Sequence, residues 1–243
     1  MKKVLLQIPA LMVFISLTGF NYLNNNSPLN ITQPGILSSL NISNGLKQAL
    51  QQGTTKSTDR LSAVNGFFEN PAVKILFPPQ AQKAEKTLRA IGLNKLCDDV
   101  ILSLNRSAED ATKQAKPIFI NAIKHMSLKD VTGILTGNQD AATQYFKQTT
   151  TLQLTNSLKP IIQGSLNKTN ATKYYSDAAD EYNKIPFVRK LNPDISAYVT
   201  QRAIDGIFYQ IALEELNIRK NIGARSTPLL QKVFAFADKS QKN

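Results

Sequence analysis

The chain has one cysteine, one histidine and no tryptophan among its 243 residues. A single cysteine, Cys97, cannot form a disulfide within the chain, so the stability of the fold must come from packing. The same scarcity excludes zinc sites built from several Cys or His ligands. We therefore predict no metal and no cofactor, and we interpret Cys97 as a half-buried packing residue.

Motifs for nucleophilic or phosphate chemistry are also missing. The one histidine, His125, lies on the predicted apolar side of its helix, which favours a partly buried, hydrogen-bonded ring over a catalytic base. No G-x-S-x-G sequence is present, and the glycines at 133 and 137 lack the Lys-Ser/Thr ending of a phosphate loop. No catalytic residue is predicted. A hydrolase whose carboxylates meet only in the folded chain stays as the alternative.

Residues 1–20 have the pattern of an export signal. Lys2 and Lys3 precede an apolar stretch from Val4 to Leu17, and Asn-rich sequence follows. The stretch is shorter than the roughly 20 residues that span a bilayer comfortably, which favours a signal peptide over an uncleaved anchor. Phe20 occupies the position at which a lipoprotein carries its acylated cysteine, so no lipid anchor is predicted. The expected location is the periplasm.

Acidic residues are fewer than basic ones. Seventeen Asp and Glu face 29 Lys and Arg, which gives a formal net charge of +12. The basic residues are scattered, as is usual for a solvated surface, and no nucleic-acid-binding motif accompanies them. For an exported protein the expected partners are an anionic membrane surface, an amphipathic ligand or an envelope protein, and not nucleic acid.

Hydrophobic periodicity predicts an all-α fold, an irregular multi-helix single domain over residues 40–237. A flexible Asn- and Pro-rich leader (21–39) precedes it and a polar tail (238–243) follows. One block, residues 66–80, contains three prolines and is expected to run extended across the helices. A first helix is expected from residue 43, with an interruption at Gly53. Further helices are expected over 79–91, 93–115, 117–126, 127–137, 143–158 and 170–183. The longest helix is expected over 194–221, and a last helix from residue 226.

Two polar residues stand at predicted helix starts among apolar neighbours. Lys116 precedes Pro117, and Asp140 is placed to cap the helix that carries Tyr145. A helix N-terminus beside an aromatic ring can receive an anion or a polar headgroup. The alternative, which we favour, is that Asp140 is a cap and Lys116 is solvated.

Five blocks of the chain resemble the bacterial proteins grouped as domain of unknown function 4197. The resemblance implies a helical, exported domain of Gram-negative bacteria and assigns no catalytic residues. It makes the polar members of the blocks, Asp140, Thr143, Tyr145 and Asp205, candidate ligand-binding residues alongside Lys116. The blocks are N-P-A-V-K-I (70–75), A-K-P-I-F-I-N-A-I-K-H-M (115–126), I-L-T-G-N-Q-D-A-A-T-Q-Y-F (134–146), A-Y-V-T-Q-R-A-I-D-G-I-F (197–208) and L-L-Q-K-V-F (229–234).

Overall fold

The computed structural model describes residues 38–184, 186–188, 190–192 and 194–240. The regular structure of these residues is helical. The predicted all-α class is confirmed. The predicted signal peptide lies outside the described residues. Short 3-10 helices cover Pro79–Ala81 and Ile222–Ala224. The α-helices of the described part are α1 (Ser39–Ser62), α2 (Gln82–Ala90), α3 (Asn94–Thr112), α4 (Ala115–Lys124), α5 (Leu128–Thr136), α6 (Ala141–Lys168), α7 (Ala171–Asn183), α8 (Ser196–Lys220) and α9 (Pro228–Ser240).

The core is organised around α6 and α8, which pack along each other. Helix α3 packs on both, α1 packs on α8 and α4, and α9 lies across α1. Three buried phenylalanines mark the centre, where the Phe119 ring meets the Phe146 and Phe208 rings edge-on at 5.3 and 6.2 Å. Such edge-to-face pairs add specific geometry to the apolar burial. None of the described helices combines the length and apolar character needed to cross a bilayer.

Helix boundaries agree with the sequence at several local signals. Ser127 and Asp130 form a capping box at the predicted helix start. The Asp130 N–H donates to Ser127 Oγ at 3.2 Å, and the Ser127 N–H donates to Asp130 Oδ2 at 2.9 Å. Gly92 follows α2 with φ +90°, a left-handed conformation that suits glycine at a helix end. Asp194 accepts the Ser196 N–H at 2.9 Å, although Ile195 occupies the cap position.

Four helical predictions need correction. Helix α1 runs through Gly53 without interruption, because a helix held by packing tolerates one glycine. The longest helix is α6, with 28 residues, and not α8, with 25. His125 is exposed at the end of α4, its Nδ1 2.8 Å from the Asn121 carbonyl oxygen, because it follows the last turn that faces the core. Cys97 is fully buried, which raises the pKa of its thiol.

The proline-containing block contains no α-helix, but it is extended only in part. Residues 66–73 form mainly turns, residues 74–78 carry no regular structure, and the 3-10 helix begins at Pro79. Helix α3 holds the block in place. Asn105 Oδ1 accepts the Ile75 N–H at 2.8 Å, and Asn105 Nδ2 donates to the Ile75 carbonyl at 2.8 Å. Glu109 Oε1 accepts the N–H groups of Phe67 and Phe68 at 3.0 and 3.1 Å. Two buried polar side chains thus satisfy backbone groups that no helix or sheet pairs, which fixes this segment against the helices.

Candidate functional site

Two adjacent cavities lie on the outward face of α8 between Arg202 and Ala212. Their volumes are about 280 and 370 Å³, and Asp205 and Tyr209 line both. We call this pair of cavities the α8 groove. One wall is residues 72–74 of the proline-containing segment. The other wall is the start of α6, with Asp140, Thr143, Gln144 and Lys147.

The floor of the α8 groove depends on a glycine. A Cβ atom at Gly206 would lie 2.7 Å from Phe67 Cε1 and 3.3 Å from Val73 Cβ. Phe67 is fully buried, so the surrounding core leaves its ring no space to move away from an added Cβ atom. Glycine at 206 therefore lets the proline-containing segment lie directly on α8, which places the 72–74 wall beside Asp205.

Both signs of charge line the α8 groove. Asp205 forms an ion pair with Arg202 and accepts a hydrogen bond from Gln201 Nε2 at 2.9 Å. Lys74 Nζ sits 4.1 Å from the centre of the Phe68 ring, a cation–π contact. Lys147 is exposed on α6. The groove is therefore cationic at its Lys74–Arg202 end and mixed along the α6 wall.

The start of α6 is capped by a carboxylate from another helix. Glu215 of α8 accepts the N–H groups of Ala142 and Thr143, both at 2.9 Å, and the Thr143 hydroxyl at 2.8 Å. Arg219 donates to the same carboxylate at 2.9 Å and to the Ile134 carbonyl at 2.8 Å. A buried, charge-assisted network thus satisfies the helix terminus.

This arrangement corrects the capping role predicted for Asp140. The residue stands at the cap position, but its carboxylate makes no bond to the helix N–H groups and accepts instead from Gln144 Nε2 at 2.8 Å. The amides of Ala142 and Thr143, which an external anion would use, already donate to Glu215. The carboxylate of Glu215 thus occupies the anion site that was considered at this helix start.

The structure brings three of the five candidate residues together. Asp140, Thr143 and Asp205 line the α8 groove, and Thr143 is buried with its hydroxyl turned toward Glu215. Lys116 lies elsewhere on α4 and pairs with Asp59 of α1 at 3.1 Å.

Tyr145 also lies outside the groove. It is half-buried, with its ring edge-on to Phe146 at 5.7 Å. Burial raises the pKa of its phenol, and the Asp130 charge adds to this. Tyr145 therefore has the surroundings of a packing residue.

The groove residues that sequence reasoning missed include Lys74, Lys147, Arg202 and Tyr209. All four belong to blocks that carry the family resemblance or lie next to one, which was an available signal. The exposure of Tyr209, 44%, is visible only in the structure.

Two further observations concern cavities and metal ligands. An apolar cavity between α1, α6, α8 and α9 measures about 30 Å³, which is room for a water molecule and not for a lipid chain. Within the described ranges, no three His, Cys, Asp or Glu side chains are grouped closely enough to hold a metal ion.

Comparison with known proteins agrees with the resemblance. The model of a family described as protein of unknown function (DUF4197) matches residues 36–235. The chain belongs to the DUF4197 family. No curated protein and no solved structure matches it. The α8 groove of this DUF4197 chain is built largely from the resembling blocks 70–75, 134–146 and 197–208.

Proposed function

We propose that this chain is a non-enzymatic binding module of the periplasm, which holds an extended segment of an envelope protein in the α8 groove. The observation that carries the proposal is the pair of adjacent cavities around Asp205 and Tyr209 of α8, one bounded by the proline-containing segment and the other by α6.

The dimensions of the groove suit a short peptide segment. The stretch of α8 from Arg202 to Ala212 is about 15 Å long at 1.5 Å per residue. An extended chain rises about 3.3 Å per residue, so four or five partner residues fill it. Side chains that donate and accept hydrogen bonds line the α6 wall, and Lys74 adds a donor on the opposite wall, groups that a peptide can bind.

Charge and aromatic character indicate which segment fits. Lys74 and Arg202 at one end face a single carboxylate, Asp205, so an acidic partner side chain is favoured there. Tyr209 is 44% exposed in the middle of the groove, and half-exposed tyrosines often dominate the energetics of protein interfaces. The partner is therefore expected to combine an acidic residue with an apolar residue that covers the Tyr209 ring.

The test is selection of heptapeptides from a displayed library on the full chain, followed by fluorescence anisotropy with the selected peptides. Tyr209→Ala should weaken binding about thirty-fold, as for a central interface residue. Ala212→Trp should block the groove. Leu128→Ala, at an exposed position of α5, is the matched control and should bind as the wild type does. Peptides that bind all four proteins equally, or a library that yields no groove-dependent peptide, would refute the proposal.

A carboxylate-based hydrolase is the second candidate, because Asp140 and Asp205 line the same groove. Each carboxylate is already engaged, Asp140 by Gln144 and Asp205 by Arg202 and Gln201. We expect no turnover of chromogenic esters, phosphate esters or glycosides above background. If the protein did turn over one of these substrates, and if Asp140→Asn and Asp205→Asn each abolished that turnover, the hydrolase would become the favoured function.

The periplasmic part of the proposal depends on residues 1–20. Alkaline phosphatase fused after Asn30 should be active in cells, because the enzyme matures only outside the cytoplasm. Replacing Lys2 and Lys3 by Glu should lower that activity, since the positive start of an export signal is required. A fusion that stays inactive in the cytoplasm would remove the envelope partners from the proposal.

A further inference from the structure

A polar cavity lies where the connection between α5 and α6 meets the ends of α8 and α9. Its volume is about 620 Å³, within the range of about 300–1,000 Å³ that is usual for small-ligand pockets. It shares no lining residue with the α8 groove. Its polar lining includes Asn138 and Gln139 of the connection, Arg219 and Lys220 of α8, and Asp238 of α9.

Arg219 presents a preorganised hydrogen-bond donor to this cavity. Its Nε and Nη2 donate to Glu215 Oε1 at 3.1 and 2.9 Å, and Nη2 also donates to the Ile134 carbonyl at 2.8 Å. Within the described ranges no group accepts a hydrogen bond from Nη1, and no buried side-chain nitrogen lacks a partner, so Nη1 is open to the cavity. Because the other two nitrogens fix the guanidinium, little side-chain freedom is lost when Nη1 binds a ligand.

Further donors come from Lys220 and from the α5–α6 connection. The Lys220 side chain is exposed and pairs with no described acidic residue. The side-chain amides of Asn138 and Gln139 are also exposed and hydrogen-bond to no described group. Donors from two separate parts of the fold thus line the cavity without an acceptor.

The carboxylates next to the cavity are already neutralised. Asp238 Oδ2 lies 3.0 Å from Nη1 of the buried Arg225, and Glu215 pairs with Arg219. Arg225 also donates to two carbonyl groups in the last turn of α8 at 3.1 and 2.7 Å, which offsets the negative end of that helix. The charge left over is the positive charge of Lys220, so the cavity favours an anion.

We infer that this cavity binds the phosphate group of a small phosphate ester, with Arg219 and Lys220 as charged donors and the two side-chain amides as neutral ones. A terminal phosphate has three strong acceptor oxygens, so it satisfies more of these donors than a carboxylate does. Phe234 and Ala237 supply apolar lining, which suits the organic part of the ester. The inference does not depend on the function proposed for the α8 groove.

Isothermal titration of the full chain with phenyl phosphate tests the inference, because this probe joins a phosphate to a flat apolar ring. Phenyl phosphate should bind about ten-fold more tightly than benzoate, since the carboxylate leaves a charged donor without an acceptor. Phenol, which has the ring and no anionic group, should not bind measurably.

Three substitutions identify the site. Lys220→Ala should weaken the binding of phenyl phosphate about ten-fold, the loss of one charge-assisted hydrogen bond, and Lys220→Arg should restore most of it. Asp238→Asn should tighten binding about three-fold, because it removes a carboxylate from the lining. The matched control is Lys232→Ala, at an exposed position of α9 outside the cavity, which should bind as the wild type does.

Sedimentation with vesicles of equal parts phosphatidylcholine and phosphatidic acid distinguishes the two sources of such a phosphate. Vesicle binding that Lys220→Ala weakens supports a lipid headgroup as the ligand. Binding of phenyl phosphate without vesicle binding supports a soluble ester. Tyr209→Ala should bind phenyl phosphate as the wild type does, which separates this result from the test of the α8 groove.

Four results would overturn the inference. One is no binding of phenyl phosphate at about 1 mM, and another is binding of benzoate or phenol as tight as that of phenyl phosphate. The third is equal affinity of the Lys220→Ala and Lys232→Ala variants. The fourth is weaker binding by Asp238→Asn, which would show that the cavity favours a cation.

Discussion

Glu215 on α8 caps α6 by accepting the Thr143 N–H at 2.9 Å, across 72 residues of sequence. The same carboxylate holds Arg219, whose guanidinium also binds the Ile134 carbonyl at the end of α5. One acidic residue therefore joins α5, α6 and α8 and sets the position of the α6 wall of the groove.

We predict that Glu215→Ala lowers the free energy of unfolding by about 3 to 5 kcal/mol. The substitution leaves the charge of Arg219 without its carboxylate and two buried helix N–H groups without an acceptor. Denaturant-induced unfolding measures the loss. The adjacent Glu214 is the matched control. It pairs with Lys56, whose side chain is 62% exposed, so Glu214→Ala should cost about 1 kcal/mol or less. Equal losses for the two variants would contradict the capping role.

Glycine substitutions should have opposite effects at two positions. Gly206→Ala places a methyl group 2.7 Å from the buried Phe67 ring and should lower the free energy of unfolding by about 1 to 3 kcal/mol through overpacking. It should also displace residues 72–74 and weaken binding of any groove peptide. Thermal and denaturant unfolding provide the measurement.

Gly133→Ala is the control for helix propensity. Gly133 is exposed within α5, and no atom lies within 4 Å of a Cβ placed there. Alanine should therefore stabilise the protein by about 0.5 to 1 kcal/mol. Destabilisation at Gly133, or stabilisation at Gly206, would show that the close approach at α8 is not what requires glycine.

Local features of the fold could be predicted from the sequence because their causes lie within one or two turns. The apolar periodicity located the helices, Ser127 and Asp130 located the start of α5, and the prolines located the non-helical segment. Glu215 illustrates what could not be predicted. Its pairing with Arg219 at i+4 was visible, but its bonds to α6 exist only because α6 packs along α8.

The candidate site also depends on contacts between helices that the sequence does not reveal. Asp140 and Asp205 are neighbours across the groove because α6 and α8 pack side by side, a relation that no spacing in the sequence reveals. Lys116 stood in an equally suggestive position, yet α1 supplies Asp59 as its partner. A polar residue at a helix start is thus an ambiguous signal until the neighbouring helix is known.

Alkaline pH should destabilise the protein through Tyr175. This tyrosine is buried beside Phe77, and burial raises its pKa from 10.0 to about 12. Between these values the unfolded chain releases the phenol proton and the folded chain keeps it, so the free energy of unfolding falls as pH rises from 10 to about 12. Below pH 10 both states hold the proton and the term is constant.

Tyr175→Phe should reduce this alkaline loss, measured as denaturant midpoints across the same pH range. Some dependence should remain, because burial also raises the pKa of Tyr145 and Tyr198. Tyr209→Phe, at a half-exposed position, tests whether removing any tyrosine is enough to reduce the alkaline loss of stability. If Tyr209→Phe and Tyr175→Phe flatten the profile equally, burial of Tyr175 is not its cause.

Phe187→Gly should stabilise the protein by about 1 kcal/mol, because glycine adopts φ +63° without strain and no packing is lost at a fully exposed side chain. Asn65 is the matched control, since it also has positive φ, 69°. Its side chain donates to Glu69 and accepts from Arg106, so Asn65→Gly should give no gain. The denaturant midpoints of both variants give the comparison. If Phe187→Gly were less stable than the wild type, the Phe187 ring would have to be packed against the protein, which its full exposure contradicts.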